Sequence, residues 1–304
     1  MKMTWSGVLP AITTPFREDL SIDREFFATH CRWMLESGCT GIVALGSLGE
    51  GGSQTLEEKA KVLSTAVEAV GNRIPIVAGV SAITTAEAVN IAKVAQDAGC
   101  SGLMVLPPYV YSSDWREMKA HVAAVLKATP LSAMLYNNPV AYKTDFLPEH
   151  VVELLNEHEN LHAIKESSAD VRRVAALRAL EPDRLRILVG VDDVIVEAIA
   201  GGAAGWIAGL VNAFPKESVD LFNLASAGRA KETFELYRWF LPLLRMDTVP
   251  KFVQLIKLAQ EVVGMGSERV RPPRLPLLGA EREQALSIIR HALATRPAAV
   301  SAAV

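Results

Sequence analysis

The sequence predicts an α/β protein, a (β/α)8 TIM barrel carrying a C-terminal three-helix appendage. Three observations predict it. Short apolar runs alternate with longer stretches of helical period eight times before about residue 228. The runs are apolar at consecutive positions, as befits strands covered on both faces of a parallel sheet. Beyond Gly228 the alternation stops and only helical patterns remain. A doubly wound open sheet is the competing architecture, but no G-x-G-x-x-G follows the first strand.

Taken in order, the expected strands are GVLPAITTP, GIVALGS, IPIVAGV, GLMVLPP, LSAMLYN, LHAIKES, LRILVG and AGWIAGLV. After the first, REFFATHCRWMLES places Phe27, Cys31, Met34 and Leu35 on one helical stripe. After the second, LEEKAKVLSTAVEAV places Leu56, Ala60, Leu63 and Val67 on another. Further helices are expected to begin near Thr85, Trp115, Pro148, Asp170, Asp192 and Pro215. Gly38, Gly71, Gly99 and Gly228 read as left-handed helix ends, which glycine adopts without Cβ strain. The later stretches RAKETFELYRWFLPLLRM, KFVQLIKLAQEVVG and AEREQALSIIRHALAT are amphipathic helices, with RPPRLPLL a connector before the last. The expected division is a barrel over 1–228 and a helical segment over 229–304.

Half of the 304 residues are hydrophobic, ample for a large core. Charged residues make up 21% and the net charge is −3, with no clustered basic stripe, so no nucleic-acid partner is expected. VRRVAALR, 171–178, reads as a solvated helix face. Cys31, Cys39 and Cys100 form no CxxC and read as buried free thiols of a cytoplasmic protein. AIAGGAAGWIAGLVNAFP, 198–215, approaches membrane length. Its glycines, with Asn212 and Pro215, suit a helix end followed by a buried strand, and no membrane partner is expected.

Barrel sites form at the C-terminal ends of strands. Strand two ends in GSLGEGGS, 46–53, a turn whose backbone N–H groups can hold an anion such as a carboxylate, with the Ser47 hydroxyl beside them. Strand five ends in YNNP, which offers Tyr136. Strand six ends in Lys165 of LHAIKESSAD. An amine held dry loses its preference for the charged form, falling from ~10.4 toward neutrality. The neutral amine attacks carbonyl or imine carbon, and the protonated Schiff base is an electron sink. Tyr136 can shuttle the protons this requires. The plainer alternatives are a tight turn, a tyrosine packed at the solvent edge and a lysine snorkelling to Glu166. The six histidines, at 30, 121, 150, 158, 162 and 291, form no ligand pair, so no metal is expected. In VGVDDV, Asp192 or Asp193 reads as the N-cap of the next helix.

Lysine on strand six, tyrosine on strand five and a GSxGE turn on strand two together resemble the family of dihydrodipicolinate synthase and N-acetylneuraminate lyase. The resemblance runs from about Gly7 to Arg274. It implies a homotetramer, a dimer of dimers, acting on a small 2-oxo or cyclic imino acid with no cofactor. It implies Lys165 as the Schiff-base lysine, Tyr136 as the catalytic tyrosine and Ser47 as the hydroxyl linking it into a proton relay. The amides of Ser47 and Leu48 would cradle a carboxylate, Tyr109 of PPYVY would be lent across the dimer interface, and Gly190 and Ile207 would form a backbone wall. Two positions depart from the synthase pattern. Leu48 replaces a second threonine, and Ala141 stands where the synthase has an arginine gripping a second carboxylate. Lys143 could partly substitute, though it lacks the planar fork. GWIAGLVNAFP and YRWFLPLLRMDTVPKFVQLIKLAQ resemble a subgroup, the deaminases of hydroxyproline breakdown. Those convert 1-pyrroline-4-hydroxy-2-carboxylate to 2,5-dioxopentanoate and ammonia. The resemblance leaves open 4-hydroxy-tetrahydrodipicolinate synthase, a 2-keto-3-deoxy acid aldolase or dehydratase, and a non-catalytic small-molecule binder.

Overall fold

Each expected apolar run contains a strand: β1 (Gly7–Pro10), β2 (Ile42–Ala44), β3 (Ile76–Val80), β4 (Gly102–Val105), β5 (Ser132–Asn137), β6 (Leu161–Glu166), β7 (Arg186–Val189) and β8 (Gly205–Ala208). The computed structural model describes residues 3–108 and 114–297. Neighbouring strands pair in parallel in the order β1-β8-β7-β6-β5-β4-β3-β2. A bridge between Ala11 and Val43, with the Ile12 amide donating to the Val43 carbonyl at 2.9 Å, returns the end of β1 to β2. The sheet therefore closes into a barrel.

The helices are α1 (Arg24–Glu36), α2 (Leu56–Val70), α3 (Thr85–Asp97), α4 (Trp115–Ala128), α5 (Pro139–Tyr142), α6 (Pro148–Glu157), α7 (Arg172–Leu180), α8 (Ile195–Ala200) and α9 (Pro215–Ser226). Side chains of Asp23, Thr55, Thr84 and Asp114 accept first-turn amides and start α1 to α4. The stripe expected on α1 is the buried one, with Leu35 only partly covered. On α2 it is not: Leu56 is 42% exposed, and the buried face carries Val62, Leu63, Ala66 and Val70. This helix is apolar around much of its girth, so periodicity alone did not choose which side meets the barrel.

Three further helices, α10 (Ala230–Leu244), α11 (Phe252–Val262) and α12 (Gly279–Ala294), form the appendage, and their apolar faces join the barrel's core. The 198–215 stretch is the end of α8, then β8 and a short turn over Leu210–Asn212. Among the described residues no helix is long and apolar enough to cross a membrane. Cys31, Cys39 and Cys100 are free and buried, and burial pushes each thiol up to about 12.

The appendage is pinned to the loop after β2 by a buried ion pair. Lys257 of α11 donates to Glu50 at 2.7 Å, with side-chain exposures of 1% and 0%. Burial pulls the Lys257 ammonium down to about 8 against the pull of Glu50. The connector adds the Arg271 amide on Glu50 at 3.0 Å and its guanidinium on Glu58 at 2.6 and 2.8 Å. A second tie runs through Asn212, which accepts from the Thr13 amide and donates to the Ala11 and Gly209 carbonyls. His30 of α1 lies fully buried with Nε2 3.2 Å from the Asn212 carbonyl, and burial pulls its imidazole down to about 4.

Glu50→Gln, which strands the Lys257 charge in the core, is expected to cost about 3–5 kcal/mol in urea unfolding. His30 is neutral when folded, whereas the unfolded chain takes up its proton near 6.5. Its contribution is therefore complete above pH 6.5 and is lost as pH falls toward 4, about 3 kcal/mol in all. His30→Gln is expected to flatten that part of the stability–pH curve.

Candidate active site

Tyr136 and Lys165 are register partners on β5 and β6, one residue short of each strand's end. Parallel pairing puts their side chains on the same face, and the Lys165 Nζ lies 4.2 Å from the centre of the Tyr136 ring. Both are buried, at 6% and 5% exposure. Lys165 does not pair with Glu166, which accepts from Asn137 Nδ2 at 3.1 Å and the Ser168 amide at 2.6 Å. Among the described residues the lysine donates no hydrogen bond. Burial lowers its pKa, and the fields of Tyr142, Asp247 and Asp192 partly restore it. Gly190, after β7, is what admits this side chain: a Cβ there would overlap Lys165 Cε and the Ser167 hydroxyl.

These residues line a cavity of about 690 Å³ at the C-terminal mouth of the barrel, together with Ser47, Leu48, Gly190 and Ile207. Every described residue of the expected site therefore meets there. Tyr109 lies outside the described residues. The turn after β2 runs through left-handed backbone at Leu45 (φ 63°) and Glu50 (φ 52°), rarely adopted outside glycine. The buried Glu50–Lys257 pair holds it. Among the described residues the Ser47 and Leu48 amides have no acceptor, so both are free to bind an anion.

The relay differs from the expected one. Ser47 Oγ makes a short hydrogen bond to the Tyr142 hydroxyl, so Tyr142 stands between Ser47 and Tyr136. The Tyr142 and Tyr136 rings meet edge to face at 5.7 Å. Burial raises the Tyr136 phenol, and hydrogen bonding with Asn138, Ser167 and Tyr142 pulls it back. The two asparagines of YNNP explain how Tyr142 arrives. Asn138 caps α5 by accepting the Ala141 amide at 3.0 Å while its Nδ2 donates to Tyr136 at 3.1 Å. Asn137 holds the returning chain through Asp145 and the Phe146 amide. Arg173 grips Asp145 with two bonds of 2.6 and 2.7 Å, so this part of VRRVAALR is a loop anchor rather than a solvated face.

Two further readings are corrected. Asp192 is no N-cap: it is fully buried and accepts from Trp206 Nε1 at 2.9 Å, from Gly209 N at 3.1 Å and from Leu210 N at 2.8 Å. Asp193 caps nothing either; its carboxylate faces Arg245 at 3.6 Å. Lys143 does not stand in for the missing arginine here: it is not among the residues lining the cavity, and its ammonium donates to the Val140 carbonyl at 3.0 Å. Sequence reasoning also missed Asp247, which lines the cavity from the turn that ends α10.

Fold and site together define a (β/α)8 barrel with a lysine-centred pocket at the strand C-termini. The chain belongs to the dihydrodipicolinate synthetase family, whose model matches residues 4–292. It is 30% identical over 286 residues to 4-hydroxy-tetrahydrodipicolinate synthase of Bartonella bacilliformis, across 94% of this chain and 97% of that protein. The enzyme of the same name from Methanococcus maripaludis is 29% identical over 267 residues, across 88% of this chain and 91% of that one. The crystal structure of dihydrodipicolinate synthase from Aquifex aeolicus superposes with a TM-score of 0.90 at 25% identity, covering 94% and 97% of the two chains.

Gly190→Ala is expected to push Lys165 out of its slot. Borohydride trapping of pyruvate on the protein should fall at least about tenfold, with the circular dichroism spectrum unchanged; intact trapping would show the slot to be unimportant.

Proposed function

We propose that this protein is a Schiff-base lyase that deaminates 1-pyrroline-4-hydroxy-2-carboxylate. The observation that supports this most is a desolvated Lys165 beside Tyr136 in a cavity whose described lining carries one guanidinium, that of Arg274. Position 141 is alanine, Lys143 is turned to a backbone carbonyl, and the Arg274 guanidinium faces Glu50 at 3.8 Å. A substrate with one carboxylate suits such a pocket, with that carboxylate on the Ser47 and Leu48 amides and Gly190 and Ile207 as the opposite wall.

The Lys165 amine adds to the ring C2=N carbon, and expulsion of the ring nitrogen opens the ring to a protonated Schiff base. That cation acidifies C3, whose proton passes to Tyr136 and along Tyr142 and Ser47. The 4-hydroxyl leaves as water and the double bond migrates to give an imine at C5. One water at C5 releases ammonia, and another at C2 releases 2,5-dioxopentanoate and the free lysine. No cofactor takes part, because the iminium is the electron sink. The reading includes a cytoplasmic homotetramer, with Tyr109 serving a neighbouring subunit.

A second reading, 4-hydroxy-tetrahydrodipicolinate synthesis, is favoured by the names of the relatives. Ammonia release from the hydroxylated pyrroline, run beside pyruvate with aspartate semialdehyde, separates the two. Ammonia in the first assay and no condensation in the second is the expected result; condensation without ammonia would make it a synthase. Borohydride with a 2-oxo acid is expected to leave an adduct on Lys165, and no mass shift would mean a binder. Lys165→Ala should abolish turnover, and Tyr136→Phe should slow it by about 10² to 10⁴.

A further inference from the structure

One acidic side chain of the appendage, among the described residues, reaches the barrel mouth. The turn Arg245–Asp247 ends α10, and Asp247 lines the cavity with Lys165, Tyr136 and Ile207. The turn is anchored to the loop after β7: Tyr237 donates to the Asp193 carbonyl, and Arg245 faces the Asp193 carboxylate. The Asp247 carboxyl lies flat against Gly209, just past β8, where a Cβ would overlap it. Its Oδ1 is buried and has no hydrogen-bond partner among the described residues. A buried carboxyl oxygen thus stands at the cavity with nothing of the protein's own, among the described residues, to bind.

The groups facing Asp247 decide its protonation. They are Lys165, Asp192, Asp193 and the Tyr136 phenol. Burial pushes the Asp192 carboxyl up to about 6, and its three N–H donors pull the other way and favour its charged form. Among the described residues Asp247 has no such donor, and it sits in the field of that charge. Burial, followed by Asp192, raises its carboxyl well above the usual range, with Lys165 pulling the other way. Of two neighbouring carboxyls with unequal hydrogen bonding, the poorer one keeps the proton.

We infer that Asp247 receives the substrate's 4-hydroxyl and protonates it as it leaves. The inference rests on the deaminase reading and assigns its acid. The enamine nitrogen's lone pair re-forms the iminium at C2, the C2=C3 pair becomes the C3=C4 bond, and the C4–O bond breaks. The oxygen departs with the Asp247 proton as water. The new carboxylate faces a cationic iminium, which offsets the charge it has gained. It then takes the proton lost from C5 as the double bond migrates, and returns to its starting form.

The test compares two rates in the full-length protein. One is ammonia release from the hydroxylated pyrroline. The other is exchange of pyruvate methyl protons in D2O, which needs Lys165 and Tyr136 but no leaving group. In Asp247→Asn the ratio of ammonia release to exchange is expected to fall by about 10² or more, the usual range for one acid. Gly209→Ala, which displaces the same carboxyl without removing it, should lower the ratio in the same direction. Wild-type ammonia release should decline as pH rises through the Asp247 titration, and Asp247→Asn should lack that limb. A ratio within about threefold of wild type, through retention of both rates or equal loss of both, would overturn the assignment. A wild-type protein that exchanges pyruvate but releases no ammonia would instead bring down the deaminase reading, and this inference with it.

Discussion

An amine held out of water at the end of a strand is the constraint on which the rest of this structure depends. Burial disfavours the ammonium of Lys165, and the fold offsets that cost in specific places. The Tyr136 ring lies 4.2 Å from the amine, the field of Asp192 reaches it, and the Asp247 carboxyl lines the same cavity. Each of these needs support of its own. Asp192 takes the Trp206 indole and two backbone amides, Asp247 needs a residue without a side chain at 209, and Lys165 needs the same at 190. The environment that costs the folded state is the one in which a neutral nucleophile can persist at ordinary pH.

The appendage is part of that environment. Lys257 reaches from α11 to Glu50, at the far end of the same left-handed turn that presents Ser47 and Leu48. A buried ion pair is weak evidence for net stability, because desolvating both charges offsets most of their attraction. What it does here is locate. A chain that leaves the barrel after α9 comes back over the mouth and is tied there by Lys257, Arg271 and Gln260, the last accepting from Thr13 Oγ1 at 2.8 Å. With the helices so placed, the turn ending α10 delivers Asp247 across the opening.

Much of this was legible in the chain. Strands buried on both faces leave uninterrupted apolar runs, so all eight could be read and a polar residue at the end of one stood out. Lys165 and Tyr136 were visible for that reason. Tyr142 was not, although a signal existed: Asn138 followed by Pro139 is a helix start, and Tyr142 is the last residue of the single turn it begins. Asp192 was misread because a paired aspartate before a helix has the ordinary look of a cap, and only the depth of β8 behind it shows otherwise. Arg173 was misread because a helical arginine displays its charge but not the Asp145 that meets it.

By itself, then, the sequence determined the ring of strands and helices and the two groups at the ends of β5 and β6. Those follow from periodicity and from which residues sit beside each other along one strand. Only the tertiary structure decided that Tyr142 joins Ser47, that α2 turns Val62 rather than Leu56 to the barrel, and that Asp247 from the last third of the chain faces Lys165. Such meetings depend on how helices return over the barrel, and packing between distant segments leaves no period in the residues that take part.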